Sequence, residues 1–229
     1  MFWSKPSIYL KGVRDHSISC CESTFYKYCN LLGFKNRRHK SKTDNYKPKK
    51  TTKPNELWCA DVTIFKTGDG KKHHIHFLMD HFSRMILGYR IEKSSSGKAI
   101  GDLIKEARLK YKPKHLHLLT DGGSENVNHY VSEYLDTLNI TSTHDIAQKD
   151  VIYSNSMIEA LNKVIKQQFL YPKTINSRKQ LEKTLNNAVL IYNIVRPQKV
   201  LGGNTPFETF NGFPNILNQY KSHFKTQKE

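Results

Sequence analysis

The chain has 229 residues, enough for one domain of ordinary size with a small appendage. Its 37 Lys and Arg against 20 Asp and Glu leave a formal charge of +17, which favours a polyanionic partner. No run approaches the ~18 apolar residues of a membrane span, and Met1–Lys5 lacks the apolar run of a secretory signal. Both observations argue against a membrane partner and for a cytoplasmic protein.

In chain order, residues 1–34 read as a small helical segment. Within it, 17–34 (SISCCESTFYKYCNLLGF) looks like a short helix-turn-helix fragment: Ser23 can cap a helix, Phe25, Tyr28, Cys29, Leu31 and Leu32 form its stripe, and Gly33 stops it. Such a fragment either reads DNA or docks as a helical pair on the main domain. His16, Cys20, Cys21 and Cys29 match neither common zinc spacing, so these cysteines read as small buried hydrophobes, and with Cys59 they suggest no disulfide framework.

Residues 35–54 differ in kind. KNRRHKSKTDNYKPKKTTKP carries nine Lys or Arg against the single Asp44 and has no apolar periodicity. It is either a solvated tether or an arm whose charges, among them Arg37, Arg38, Lys40, Lys49 and Lys50, contact DNA phosphates. The second reading is favoured.

From residue 55 to 212 the pattern is that of a packed domain, followed by a tail over 213–229. Strands are expected at 56–66, 71–82 and 85–92, with a turn at Thr67–Gly70. In the second of these, His74 and His76 share a face opposite His73, which reads as a hairpin edge and not a ligand set. A helix at about 98–110, a strand at 115–120, a helix at 127–138 and a short strand near 140–144 follow, then a loop up to Tyr153. Three strands and then alternating helix and strand describe an α/β fold, a mixed sheet flanked by helices. A helix near 178–195 opens with Ser177 and Gln180 at capping-box spacing and ends before Pro197. The remaining stretch, GGNTPFETFNGFPNILNQY, reads as loop-rich.

Three acids sit where a carboxylate is uncomfortable. Asp61 interrupts the apolar run Leu57–Phe65, Asp121 ends a strand before Gly122-Gly123, and Glu159 opens a helix whose next charges are lysines. Taken singly, each has a plain explanation: an edge or bulge residue, a turn former, an ordinary helix residue. Together, with no Arg at local spacing to neutralise them, they suggest a divalent metal site, because a carboxylate near a core costs several kcal/mol unless a cation compensates it. At ~100° per residue, Asn155, Glu159, Lys163 and Lys166 fall within roughly 40° of one line, while Ile158, Leu161, Ile165 and Phe169 occupy another face. Asp80 reads as a hairpin or capping residue.

These residues resemble a known family, the bacterial insertion-sequence transposases with a retroviral-integrase-like core. Trp58, Asp61 and Thr63 are similar to its W-x-x-D-x-T strand, 77–91 to its second and third strands, TDGGSEN (120–126) to its second acid, SNSMIEALNKVIK (154–166) to its third, and 192–210 to its closing signature. Residues 17–34 look like the helical segment that precedes that core. The departures are that 37 residues separate Asp121 from Glu159, slightly more than is usual there, that the loop 141–152 lacks the customary glycine, and that Ser154 replaces an acid. The longer DNA-binding region that often precedes the core is also not seen.

The resemblance implies a ribonuclease H-like fold in which Asp61, Asp121 and Glu159 hold two Mg²⁺ ions, with Mn²⁺ as a substitute. It further implies cleavage and strand transfer of DNA, with mobile-element ends and target DNA as partners. Lys163 and Lys166 would hold the phosphate backbone, and Asn155 would position DNA or orient Glu159. A homo-oligomer and a separate DNA-binding partner protein are further expectations. The alternative is a catalytically impaired or repurposed DNA-binding protein derived from such an enzyme.

Overall fold

The computed structural model describes residues 3–34, 50–121, 125–137, 142–147 and 155–216, with only the backbone for 125–128 and 147. They form two compact units. One runs up to Asn193 and holds the sheet; the other combines the amino-terminal helices from Trp3 with the chain from Ile194 onward. The stretch 194–212, expected inside the sheet domain, therefore clusters with the amino-terminal helices.

In the sheet unit, β1 (Trp58–Lys66) and β2 (Lys72–Asp80) form an antiparallel hairpin from Trp58↔Asp80 to Lys66↔Lys72. Its turn is closed by Gly70 N–H on the Thr67 carbonyl at 2.9 Å, and Gly70 takes φ +81°, a conformation that favours glycine. β3 (Ile86–Glu92) adds antiparallel to β2, with a bulge at Leu78/Met79. The chain then crosses through α3 (Gly97–Tyr111) to β4 (Leu116–Asp121), which pairs parallel to the start of β1. It continues through α4 (Glu125–Asp136) to β5 (Ser142–Ala147), parallel to β4. The order is β3-β2-β1-β4-β5, the mixed sheet expected.

The two faces are covered by different helices. Leu57, Cys59, Phe77, Met79 and Leu119 meet α5 (Ser156–Ile165) through Ile158, Leu161 and Ile165, and α6 (Arg178–Leu190) through Leu181 and Leu185. On the opposite face α3 packs on β2 and β3, and α4 on α3 and β5. The exposed side of edge strand β3 is blunted by side chains. Asn193 exchanges two hydrogen bonds with the Ile86 backbone (3.0 and 2.9 Å), and Arg178 donates to the Ile91 carbonyl at 2.9 Å.

Several sequence expectations are corrected. Strand β5 runs to Ala147, beyond the short strand expected near 140–144, because six consecutive residues pair with β4. The His73–His76 segment is not a hairpin edge: β2 lies between β1 and β3, His73 and His76 are buried, and the His73 ring bonds the Thr67 hydroxyl at 3.1 Å.

In the second unit, α1 (Lys5–Arg14) precedes the segment expected to hold the helical pair; Pro6 suits its first turn, and Tyr9, Leu10 and Val13 are its buried face. Helix α2 (Glu22–Leu31) starts from an extended Cys21, not Ser23, and Gly33 (φ +78°) ends it as expected. Of its anticipated stripe, Phe25 packs on α1, whereas Tyr28, Leu31 and Leu32 are exposed. Cys21 is exposed and Cys20 and Cys29 are half-buried, so none of the three is the buried hydrophobe expected. The stretch read as loop-rich contains a 3₁₀ turn (Lys199–Leu201) and a short helix, α7 (Pro206–Phe210). The latter is closed by a Thr205/Glu208 capping box whose glutamate also accepts from both terminal guanidinium nitrogens of Arg14.

Candidate active site

The sheet alone brings two of the three acids together. β1 and β4 are parallel and register Cys59 with Leu119 and Ala60 with Thr120, so Asp61 and Asp121 come next on both strands. Cys59 and Leu119 belong to the core under α5. By the two-residue period of a strand, Asp61 and Asp121 point to that same face. This is the position where the chain, having built β2 and β3 on one side of β1, returns to build β4 and β5 on the other. In open α/β sheets the crevice beyond the strand ends at such a switch is where ligands bind.

Glu159 reaches the crevice from the first turn of α5. The apolar stripe of α5 is buried while Glu159 and Lys163 are exposed and Lys166 half-buried, the division expected from helical phase. Two asparagines tie this helix to β1. Asn155 Nδ2 donates to the Ala60 carbonyl at 3.1 Å and Asn162 Nδ2 to Asp61 Oδ2 at 2.5 Å. Asn155 is thus a buried clamp, only 2 % exposed; of the two roles expected for it, burial speaks against a DNA contact and leaves that of orienting Glu159. Asn162 was missed in the sequence. It sits ~60° from Glu159, on the border between the acidic-basic row and the apolar stripe, where a polar residue facing the sheet is unusual.

Burial drives the Asp61 carboxyl up to about 7; the neighbouring Asp121 carboxylate and, more weakly, Glu159 push the same way. The Val62 N–H (2.7 Å) and the Asn162 amide offset part of this. Repulsion among carboxylates is what a divalent cation relieves. Among the described residues no group of three or more His, Cys, Asp or Glu is gathered closely enough to form a metal cage. An open carboxylate set of this kind suits Mg²⁺, which keeps several waters and binds through one or two carboxylates plus substrate phosphates.

Asp61 and Glu159 open onto a cleft of about 380 Å³. Asp61, Glu159 and Asn162 line one part, Lys163 and Lys166 follow along the helix, and Gln167 and Tyr171 lie beyond them. Val62 and Thr63 of β1 form the facing wall. Lysines beside carboxylates suit a phosphodiester, whose charge ammonium groups can hold while the carboxylates would hold a divalent cation. Asp80 stands apart as expected. Fully buried at the end of β2, it accepts from the Asn55 N–H (2.8 Å) and from the Ser83 N–H (2.8 Å) and hydroxyl (2.7 Å), and so braces the β2–β3 turn. Trp58, also fully buried, donates its indole N–H to Asn55 at 3.1 Å, which accounts for the tryptophan three residues before Asp61. Lys50 is exposed, whereas Arg37, Arg38, Lys40, Lys49 and the segment 148–154 lie outside the described residues.

Two family profiles, both described as integrase core domain, match residues 51–150 and 142–206. The chain belongs to the integrase core domain family. This integrase core is 27% identical over 167 residues to the transposase of insertion element IS904 of Lactococcus lactis, covering 71% of this chain and 64% of that one. It is 27% identical over 157 residues to the IS629 transposase of Shigella sonnei, covering 68% and 52%. The chain thus spans half to two thirds of these relatives. Among solved structures it is similar to the HTLV-2 integrase catalytic core domain, with a TM-score of 0.52 and 21% identity, covering 71% of this chain and 100% of that one. It is also similar to a chain of a simian T-cell lymphotropic virus intasome, with a TM-score of 0.58 and 16% identity, covering 90% and 76%. These likenesses establish the ribonuclease H-like fold. Among the described residues no helix is long and apolar enough to cross a membrane.

Proposed function

We propose that this integrase core is the catalytic part of a transposase that cuts DNA strands and joins them to a target in a metal-dependent reaction. The observation that carries the reading is the placement of Asp61 and Asp121 side by side at the β1/β4 switch, with Glu159 opposite them at the mouth of a lysine-lined cleft. Asp61 and Asp121, with Glu159, would hold Mg²⁺, or Mn²⁺ in its place; the solved HTLV-2 core is itself a magnesium complex. When bound, the metal supplies Lewis-acid stabilisation at phosphorus and activates the attacking oxygen.

The chain's own residues do the rest. Lys163 and Lys166 fix the scissile strand by its phosphates, so that the nucleophile meets the phosphorus in line. Asn162 and the Val62 N–H orient the Asp61 carboxylate by each holding one of its oxygens. Asn155 holds the start of α5 on β1 and with it the position of Glu159. No Ser or Tyr nucleophile is required, since water and then a DNA 3′-hydroxyl attack in turn. The basic segment 35–54 serves as a DNA-contacting arm, and pairing two element ends calls for a homo-oligomer, in keeping with the dimeric form of the HTLV-2 core.

The test is nicking and joining of supercoiled plasmid in Mg²⁺ or Mn²⁺, comparing the natural chain with Asp121→Asn. Metal-dependent cleavage and joined products that vanish in the variant support the proposal. Equal activity in both proteins refutes the site.

A further inference from the structure

The helix that carries Glu159 does not continue as a regular α-helix. From Lys166 to Leu170 it forms a π turn, closed by the Tyr171 N–H on the Lys166 carbonyl at 2.8 Å. The consequence is rotational. Counting ~100° per residue from Glu159, Tyr171 would lie about 120° away in an unbroken α-helix, off the row shared by Glu159, Lys163 and Lys166. A π turn takes up one extra residue and turns everything after it back by about 100°. Tyr171 is thereby returned to the row, and it lines the same cleft as the acids and lysines.

The ring is placed to receive something. Tyr171 is 63% exposed, a large aromatic with most of its surface free, yet it is not loose: the buried ring of Phe65 on β1 lies behind it at 5.9 Å between centroids. Beside it Gln167 is exposed and offers both an amide donor and a carbonyl acceptor. Along one helix the cleft therefore presents a carboxylate, then ammonium groups, then an aromatic face with an amide. That sequence of chemistries matches a nucleotide strand: a phosphate at the metal-binding acids, a neighbouring phosphate at the lysines, and a base. Inside a duplex both faces of a base are covered by its neighbours, so a base next to a scissile phosphate in the chain offers a face to an aromatic ring once it leaves the stack, and such stacking is a recurrent way of holding single-stranded nucleic acid.

We infer that Tyr171, assisted by Gln167, forms a subsite that stacks the unpaired base of a nucleotide adjoining the scissile phosphate, so that this protein engages frayed or single-stranded DNA ends in preference to fully paired ones. The inference rests on the transferase reading above for the identity of the strand, but its test does not depend on catalysis.

The full chain is titrated, in EDTA at fixed salt, with two fluorescent duplexes of the same sequence. One is blunt and the other ends in two unpaired nucleotides carrying 2-aminopurine. The natural chain is expected to bind the unpaired end about tenfold more tightly and to quench the 2-aminopurine. Tyr171→Phe keeps both properties, because the ring face is retained. Tyr171→Ala loses the preference and the quenching while its affinity for the blunt duplex stays within about twofold, which also shows that it is folded. A Tyr171→Ala protein that retains the preference overturns the inference, as does 2-aminopurine that stays bright with the natural chain, a result needing no variant. If Tyr171→Phe behaves as the alanine variant does, the hydroxyl and not the ring is responsible, and stacking is refuted. Should the natural chain show the preference but neither nick nor join plasmid DNA, the subsite stands and the transferase reading falls. Should it cut DNA without the preference, the reverse holds.

Discussion

Replacing Asp61 with asparagine should change how the stability of the metal-free protein depends on pH. The carboxyl is raised from 3.8 to about 7 by burial and by its acidic neighbours. The folded state therefore holds a proton at pH values where the unfolded chain has released it, so this group favours folding below pH 7, and that contribution disappears as pH rises through 7. With those two pKa values, the linkage amounts to about 2 kcal/mol between pH 5.5 and pH 8.5. The amide carries no such term. It also has one acceptor where the carboxylate has two, so either the Val62 N–H or the Asn162 amide loses its partner, a cost of about 1–3 kcal/mol that does not vary with pH. The quantity to read is therefore the slope and not the level. Chemical denaturation in EDTA across this range should show the natural chain losing about 2 kcal/mol more than Asp61→Asn. Histidines affect both proteins alike and cancel, among them the half-buried His144, whose imidazolium burial disfavours. Saturating Mg²⁺ should flatten the natural chain's curve by occupying the site. Parallel slopes for the two metal-free proteins would show that Asp61 is not held in a crowded, buried carboxylate site.

Three other outcomes follow from the same geometry. Lys163→Ala and Lys166→Ala should each reduce the slope of log K against log salt for DNA binding by about 1, measured by anisotropy; an unchanged slope removes that lysine from the phosphate path. Asn155→Ala should cost about 1–3 kcal/mol of stability by stripping the buried Ala60 carbonyl of its donor, while leaving the salt slope of DNA binding unaltered, since the residue is buried. Asp80→Asn should likewise destabilise by about 1–3 kcal/mol, because an amide cannot accept from Asn55 and Ser83 together, yet the protein that folds should cut DNA at the natural rate.

The elements that sequence patterning located well are those whose burial is periodic. β1, α3 and α5 all carry a regular apolar face; β1 and α3 lie within a few residues of their expected places, and α5 holds Glu159 in its first turn. The acids drew notice for other reasons: Asp61 interrupts an apolar run, Asp121 ends a strand before two glycines, and Glu159 heads a basic row. What escaped was set by partners remote in sequence. Asn155 lay on the row of Glu159 and so looked available to DNA; only the Ala60 carbonyl, 95 residues earlier, turns it inward. Asn162 gains its meaning only from Asp61 across the cleft. The burial of His76 depends on α3 packing over that face of β2, which a single strand's alternation cannot reveal. The π turn was hidden because a helical period assumes one rise and one rotation throughout. Tyr171 was accordingly passed over, although its residue type suits a nucleic-acid site.

The segment leading into Glu159 departs from the family's customary sequence, and that departure bears on whether the site is intact. The described contacts argue that Glu159 does not depend on it. Helix α5 is held on the sheet by Ile158, Leu161 and Ile165, all buried in the main core, and by two amides that grip consecutive residues of β1, one at the Ala60 backbone and one at the Asp61 carboxylate. The asparagines are seven residues apart, about two turns, and Glu159 lies between them. A helix pinned by its apolar stripe and at two points around the acid has little freedom to rotate or slide, so the angle at which Glu159 faces Asp61 is fixed by β1. Changes within 148–154 should accordingly alter how DNA is engaged before they alter metal affinity. Mn²⁺ titration of a chain with Lys149 and Asp150 replaced by glycines should match the natural chain within about twofold, and a larger loss would place control of Glu159 in that segment instead.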